Sequence, residues 1–338
     1  MFRSTPYISR PPLHEKGIVL RKYQYLIYSV IAAFAGYGIW IFYTDGTSIT
    51  AALHALGFSG VLLLCSLSLC NYFLRYVRWQ YFLRKLGDKP HFLDGLYCYC
   101  AGFALTTTPG KAGEAIRCLY FKNRHRVEHA HSFAALLSDR ITDLVAATLI
   151  ASFAIYHFSD FRWLGWAIPF VVLSIILAIL FPAPWLRLCS TFEHKSPSVL
   201  KPFFAAAPLF FQRAGTLLAI RPLLIGTLLG TVSWSAEAWG FAWLAQQVGC
   251  IEPAATLMGV FCLAMIAGAA LPGGLGGTEA AMAFLLIALG LGSAEAAIVT
   301  ILCRLTTLWL SILIGLCAIL WLTHSKFTAP VFNTDTVP

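Results

Sequence analysis

Two long apolar regions of this chain are each cut near the centre by a Pro-Gly step with a glutamate close behind: Pro109-Gly110-Lys111-Ala112-Gly113-Glu114 and Pro272-Gly273-Gly274-Leu275-Gly276-Gly277-Thr278-Glu279. Proline and glycine end helices, and every helix end leaves backbone N–H or C=O groups that hydrocarbon cannot satisfy. Breaks of this kind inside apolar segments must be buried in protein or line a polar site within a membrane. The composition fits that setting, with 59% of 338 residues hydrophobic and 12% charged. No polar stretch is long enough to bury a soluble core of its own, so the chain reads as an all-α polytopic membrane protein.

Apolar runs at 25–43, 58–80, 132–157, 163–181, 222–247 and 296–321 each approach the length that crosses a hydrocarbon layer of about 30 Å. Adding the broken regions 93–121 and 254–291 predicts six full spans plus two re-entrant hairpins, or eight spans. The basic residues cluster in the N-terminal segment, at 75–89, at 117–126 and at 187–221. By the positive-inside rule these segments and both termini face the cytoplasm. That order predicts an inverted repeat: a basic N-terminus at 1–24, membrane halves at 25–157 and 158–325, and a short tail at 326–338, with the two Pro-Gly tips meeting near the midplane. The segment 198–220, with Pro202 and Pro208 among phenylalanines, reads as an interfacial or broken helix.

The formal charge of +9 follows topology and contact with anionic lipid, so nucleic acid is not expected as a partner. The 10 cysteines lie mainly in apolar runs and read as small packing residues. His125 and His129, four residues apart beside Glu128 and His131, imitate a metal cluster, but a basic interfacial segment accounts for them; neither metal nor cofactor is expected. The other histidines assemble no convincing Ser-His-Asp or Cys-His triad, although His54, His91, His157 and His324 near span ends keep an enzyme open.

The candidate site gathers around the breaks. A helix starting near Lys111 would aim free N–H groups and a positive dipole end at an anion, with Gly110 and Gly113 allowing close approach and Glu114 and Arg117 three residues apart on one face. In the second break Gly273, Gly274, Gly276 and Gly277 suit an extended or left-handed backbone, while Thr278 caps the next helix and Glu279 sits in its first turn. Asp139 and Asp143 share a face of the 132–157 region, and Arg140 points about 100° away, toward another element. Glu237 and Arg304 lie inside later spans. Charges in hydrocarbon must face the protein interior and be paired or hydrated, and arginine suits phosphate through its planar donor fork.

Three stretches, Thr107-Thr108-Pro109-Gly110-Lys111-Ala112-Gly113-Glu114-Ala115-Ile116-Arg117, Ser138-Asp139-Arg140-Ile141-Thr142-Asp143 and Leu271-Pro272-Gly273-Gly274-Leu275-Gly276-Gly277-Thr278-Glu279-Ala280, followed by Arg304, resemble the transmembrane region of lysylphosphatidylglycerol synthases, the flippase-like integral membrane proteins. The resemblance implies lipid handling in a bacterial inner membrane. In the larger synthases that region moves an aminoacylated phosphatidylglycerol between leaflets, while a separate soluble domain, which has no counterpart in this sequence, makes the lipid. The expected function is a flippase or headgroup transporter for a phospholipid, a hopanoid or a polyprenyl-linked lipid, with lipid-biosynthesis enzymes as possible partners. A membrane-embedded headgroup transferase, with Glu114 or Glu279 as general base, and a non-catalytic scaffold are the alternatives.

Overall fold

The structure is a computed structural model that describes residues 46–108, 114–155, 163–195, 201–269 and 271–324. The regular structure among those residues is all helical. The helices are α1 Gly46–Lys85, α2 Phe92–Ala101 with a 3-10 turn Gly102–Leu105, α3 Ile116–His125, α4 His129–Ile155, α5 Leu164–Leu180, α6 Ala183–Lys195, α7 Lys201–Leu217 and α8 Ile220–Gln247. They continue with α9 Ala254–Ala267, α10 Gly277–Ala288, α11 Ser293–Arg304, a π-helical segment Leu305–Trp309 and α12 Leu310–His324. The tip Pro109, Gly110, Lys111 and Gly113, the expected span at 25–43 and both termini lie outside the described residues.

From Phe58 on, α1 shows why this is a membrane fold. Leu62, Leu69 and Phe73 point outward, while Ser68, Asn71, Arg75 and Arg78 are buried. A soluble helix would reverse that arrangement; lipid takes the apolar face and the protein interior takes the polar one. The Asn71 side-chain amide donates to the Ser233 carbonyl at 2.9 Å and fixes α1 to α8. Helix α4 packs against α1, α3, α5, α7, α8 and α9, and its Ala146, Ala147, Ala151 and Ala154 let neighbours approach closely. Two apolar cores flank it. One joins the second half of α4 to α8–α11; the other joins its first half to α1–α3, α7 and α12.

The span count differs from the expectation. Among the described residues two helices are long and apolar enough to cross a membrane, Leu56–Lys85 and the α11–α12 unit Ser293–His324. Two bent pairs raise the number to four if each counts as one span: Gly165–Leu180 with Ala183–Thr191, bent by 66°, and Ala206–Leu217 with Ile220–Gln247, bent by 70°. Six spans plus two re-entrant hairpins, or eight spans, are therefore not the fold, and the inverted repeat loses the count it rested on. The physical reasons are local. In α4, Asp139, Arg140 and Asp143 leave only 144–155 uninterrupted, too short to cross alone. Helix α5 has 17 residues with Pro169 inside. The broken regions yield the short helices Phe92–Leu105, Ala254–Ala267 and Gly277–Ala288. The 198–220 region contains helix α7, which holds Pro208 inside it and buries Ala214 and Leu217.

Candidate functional site

Arg75 and Arg78 lie three residues apart on α1, and Asp139 and Asp143 lie four apart on α4. Each pair therefore shares a helix face, and the two faces meet. Arg78 donates through Nη2 to Oδ1 of Asp139 at 2.6 Å and to Oδ1 of Asp143 at 2.7 Å, and through Nε to Asp139 at 2.9 Å. Arg75 Nη2 reaches the other Asp143 oxygen at 3.0 Å, and the Trp234 indole N–H donates to Asp143 Oδ1 at 2.9 Å. Arg117 Nη2 lies 3.3 Å from Asp139 Oδ2. Its guanidinium carbon stands 4.2 Å from the Trp79 ring centre and 4.7 Å from that of Tyr99, an arrangement that desolvates the cation without leaving it unsupported.

Arg140 turns toward another element, as its position on α4 suggested, and donates to Glu114 Oε2 at 2.8 Å. Its side chain also reaches back to Asp139 Oδ2 at 3.2 Å, which the helical angle alone did not suggest. Glu114 and Arg117, three residues apart, are 3.8 Å from one another. The network thus joins four guanidinium groups to three carboxylates, with Arg78, Arg117 and Asp139 fully buried. Charge burial on this scale persists only where opposite charges and hydrogen bonds compensate one another. Donors still remain: Nε of Arg75, Nη1 of Arg78, and Nε and Nη1 of Arg117 make no hydrogen bond.

Arg75 and Glu114 of this network line a cavity of ≈ 50 Å³, together with Tyr72, Phe103, Trp234, Glu237, Gly273, Arg304, Thr307 and others. The second break supplies another side. Gly273 has φ 61°, a left-handed conformation that glycine adopts without a Cβ penalty, and its carbonyl accepts from Arg304 Nη2 at 2.7 Å. Arg304 Nε also donates to Glu279 Oε1 at 2.6 Å. A side chain at Gly273 would come within 3.1 Å of Thr107 Cα, so the second break lies against the residues that lead into the first.

Of the residues expected at the site, Glu114, Glu237, Gly273 and Arg304 line the cavity. Arg117, Asp139, Arg140 and Asp143 stand in the network beside it. Gly274, Thr278 and Glu279 are buried next to Arg304. Gly276 is exposed and Gly277 packs on Leu271; both shape the turn and do not line the cavity. Sequence reasoning missed Arg75 and Arg78, which it had counted among cytoplasmic basic residues, together with Tyr72, Trp79 and Tyr99. The signal was present in α1, where Tyr72, Arg75, Trp79 and Phe82 recur at helical spacing on one face.

Comparison with known proteins gives the family. The "UPF0104 membrane protein PH1989" of Pyrococcus horikoshii is 24% identical over 274 residues, covering 71% of this chain and 80% of that protein. No solved structure matches the chain. Residues 26–315 match the family described as the lysylphosphatidylglycerol synthase TM region, and since that stretch is most of the chain, the chain belongs to this membrane family.

Proposed function

We propose that the protein is a flippase that carries the phosphate-bearing headgroup of a lipid past the bilayer core, with the tails remaining in hydrocarbon. One observation carries the reading: a buried cluster with four guanidinium groups and three carboxylates, whose Arg75 borders a cavity that Arg304 also lines. Arg75, whose Nε makes no hydrogen bond, borders the cavity and suits an anion, since arginine binds phosphate through paired, charge-assisted hydrogen bonds. Glu237, on the same cavity, offers an acceptor for a headgroup hydroxyl or ammonium.

A protein site lowers the cost of the journey because an unaided charge in hydrocarbon costs several kcal/mol at the least. At ≈ 50 Å³ the cavity has room for a few waters, at about 10–15 Å³ each. A whole headgroup needs more room than this, so loading requires the lining to move. The π-helical segment directly after Arg304 supports such a movement, since π-bulges occur frequently at functional sites. Membrane phospholipids, hopanoids and polyprenyl-linked lipids in a bacterial inner membrane all remain within this reading. Translocation of labelled lipids of each class in proteoliposomes tests it. Transport by the parent, lost in R75A and R304A and kept in the exposed control R187A, is the expected result. Rates equal to those of empty liposomes for every class would refute it.

A further inference from the structure

The imitation metal cluster of the sequence does not form, because Arg126 adopts a left-handed conformation at φ 57°, ends α3 and separates His125 from His129. His131 turns instead to Asp88 at 2.7 Å. His125 is carried elsewhere, onto Asp94 and Cys98 of α2. The carboxylate, thiol and imidazole ligand atoms of these three residues all lie within 4.8 Å of one another. His125 Nε2 is 3.0 Å from Asp94 Oδ2, and Cys98 Sγ is 4.0 Å from the same oxygen.

A buried ion triad explains part of this group. Arg124 Nη1 donates to Asp94 Oδ1 at 2.9 Å, and Arg124 Nη2 donates to the Leu322 carbonyl at 2.7 Å. An ordinary carboxylate–imidazole pair would also point its N–H at the oxygen. Here Nε2 is buried, 3.0 Å from Oδ2, and still makes no hydrogen bond. A common ion would draw these atoms together: bond lengths of about 2.0–2.1 Å to N and O and 2.3 Å to S give tetrahedral edges of about 3.3–3.5 Å, between the 3.0 Å N–O and 4.0 Å S–O separations found. One thiolate, one imidazole and one carboxylate suit Zn²⁺ among the common divalent ions, with water as a fourth donor.

We propose that Asp94, Cys98 and His125 form a transition-metal site, of the Zn²⁺ class, that clamps α2 to α3. Arg124 holds the free oxygen of the ligating carboxylate and ties the clamp to the end of α12. The site stands apart from the cavity lining and is independent of lipid transport, so its test needs no transport assay. The full chain in detergent micelles is titrated with Co²⁺ as the spectroscopic probe. One equivalent should bind with the intense visible bands of a tetrahedral ion and a thiolate charge-transfer band, and affinity should rise with pH because Cys98 loses a proton on binding. C98S should abolish the charge-transfer band, and D94N and H125Q should weaken binding by about 10–100-fold or more. The exposed-thiol control C70S should bind as the parent does. Zn²⁺ should raise the thermal midpoint of the parent and leave that of C98S unmoved, which separates loss of a ligand from loss of fold. No tetrahedral signal in the parent, or a charge-transfer band that survives C98S or disappears in C70S, would overturn the site.

Discussion

Asn in place of Asp139 is the sharpest perturbation of the network, because it changes one charge and almost no volume. Asp139 is fully buried and accepts from Arg78 at 2.6 and 2.9 Å, Arg117 at 3.3 Å and Arg140 at 3.2 Å. In D139N four guanidinium groups face two carboxylates, so the surplus of one positive charge becomes two. Removing one partner from a buried ion pair typically costs about 3–5 kcal/mol. At roughly 2–4 °C per kcal/mol for a chain of this order of size, the thermal midpoint should fall by about 6–20 °C. The double variant R78M/D139N removes the stranded cation as well and should lose less than the sum of the two single variants, with a coupling of about 0.5–3 kcal/mol. A thiol-reactive fluorophore provides the assay, since Cys98, Cys118, Cys250, Cys262 and Cys303 are buried free thiols that unfolding exposes. A D139N midpoint no lower than that of R187A, or strictly additive losses in the cycle, would show that the network is not the electrostatic unit described here.

Trp234→Phe keeps the ring and removes the N–H that Asp143 accepts at 2.9 Å; a hydrogen bond to a charged group is worth about 1.5–3 kcal/mol, and the same thermal assay should register a fall of that size. Gly230→Ala places a methyl 2.7 Å from Arg78 Nη1 and 3.3 Å from the Thr142 carbonyl, so overpacking should cost about 1–3 kcal/mol, read as a lowered midpoint. Gly273→Ala forces a side chain into a left-handed conformation at about 1–2 kcal/mol and presses it on Thr107; it should slow lipid translocation in proteoliposomes because the Gly273 carbonyl would no longer be held beside Arg304.

Helix content and the membrane setting were legible because they follow from composition and from unbroken apolar runs. The number of crossings was not, since hydropathy marks apolar segments without revealing which of them close early. Asp139 and Asp143 occupy a helix long enough to cross, yet their charges shorten its apolar stretch. At the site, the motif residues Glu114, Glu237, Gly273 and Arg304 were visible as charges or breaks in the wrong solvent. Arg75 and Arg78 were hidden by the rule that places basic clusters in loops: both sit within the last three turns of a spanning helix, and only the facing carboxylates of α4 reveal their role. The end of α3 was equally hidden, because a left-handed cap is usually announced by glycine or asparagine and here it falls on Arg126.

The two sides of the cavity are built with unequal rigidity. On the α1–α4 side, each aspartate is held by at least two arginines and α4 is packed among six other helices. Moving that side apart would strand several buried charges at once. The Gly273–Arg304 side is held by the Arg304 bonds to Glu279 and Gly273 and by the Tyr72 hydroxyl, which donates to the Thr307 carbonyl inside the π-helical segment. A π segment already departs from the regular helical ladder, so a local change there disturbs fewer backbone bonds than one in α4. Enlarging the cavity without stranding those charges must therefore begin on the Gly273–Arg304 side, and because α10 and α11 share a core with α4, α8 and α9, the change falls on the glycine break and the π segment before whole helices move.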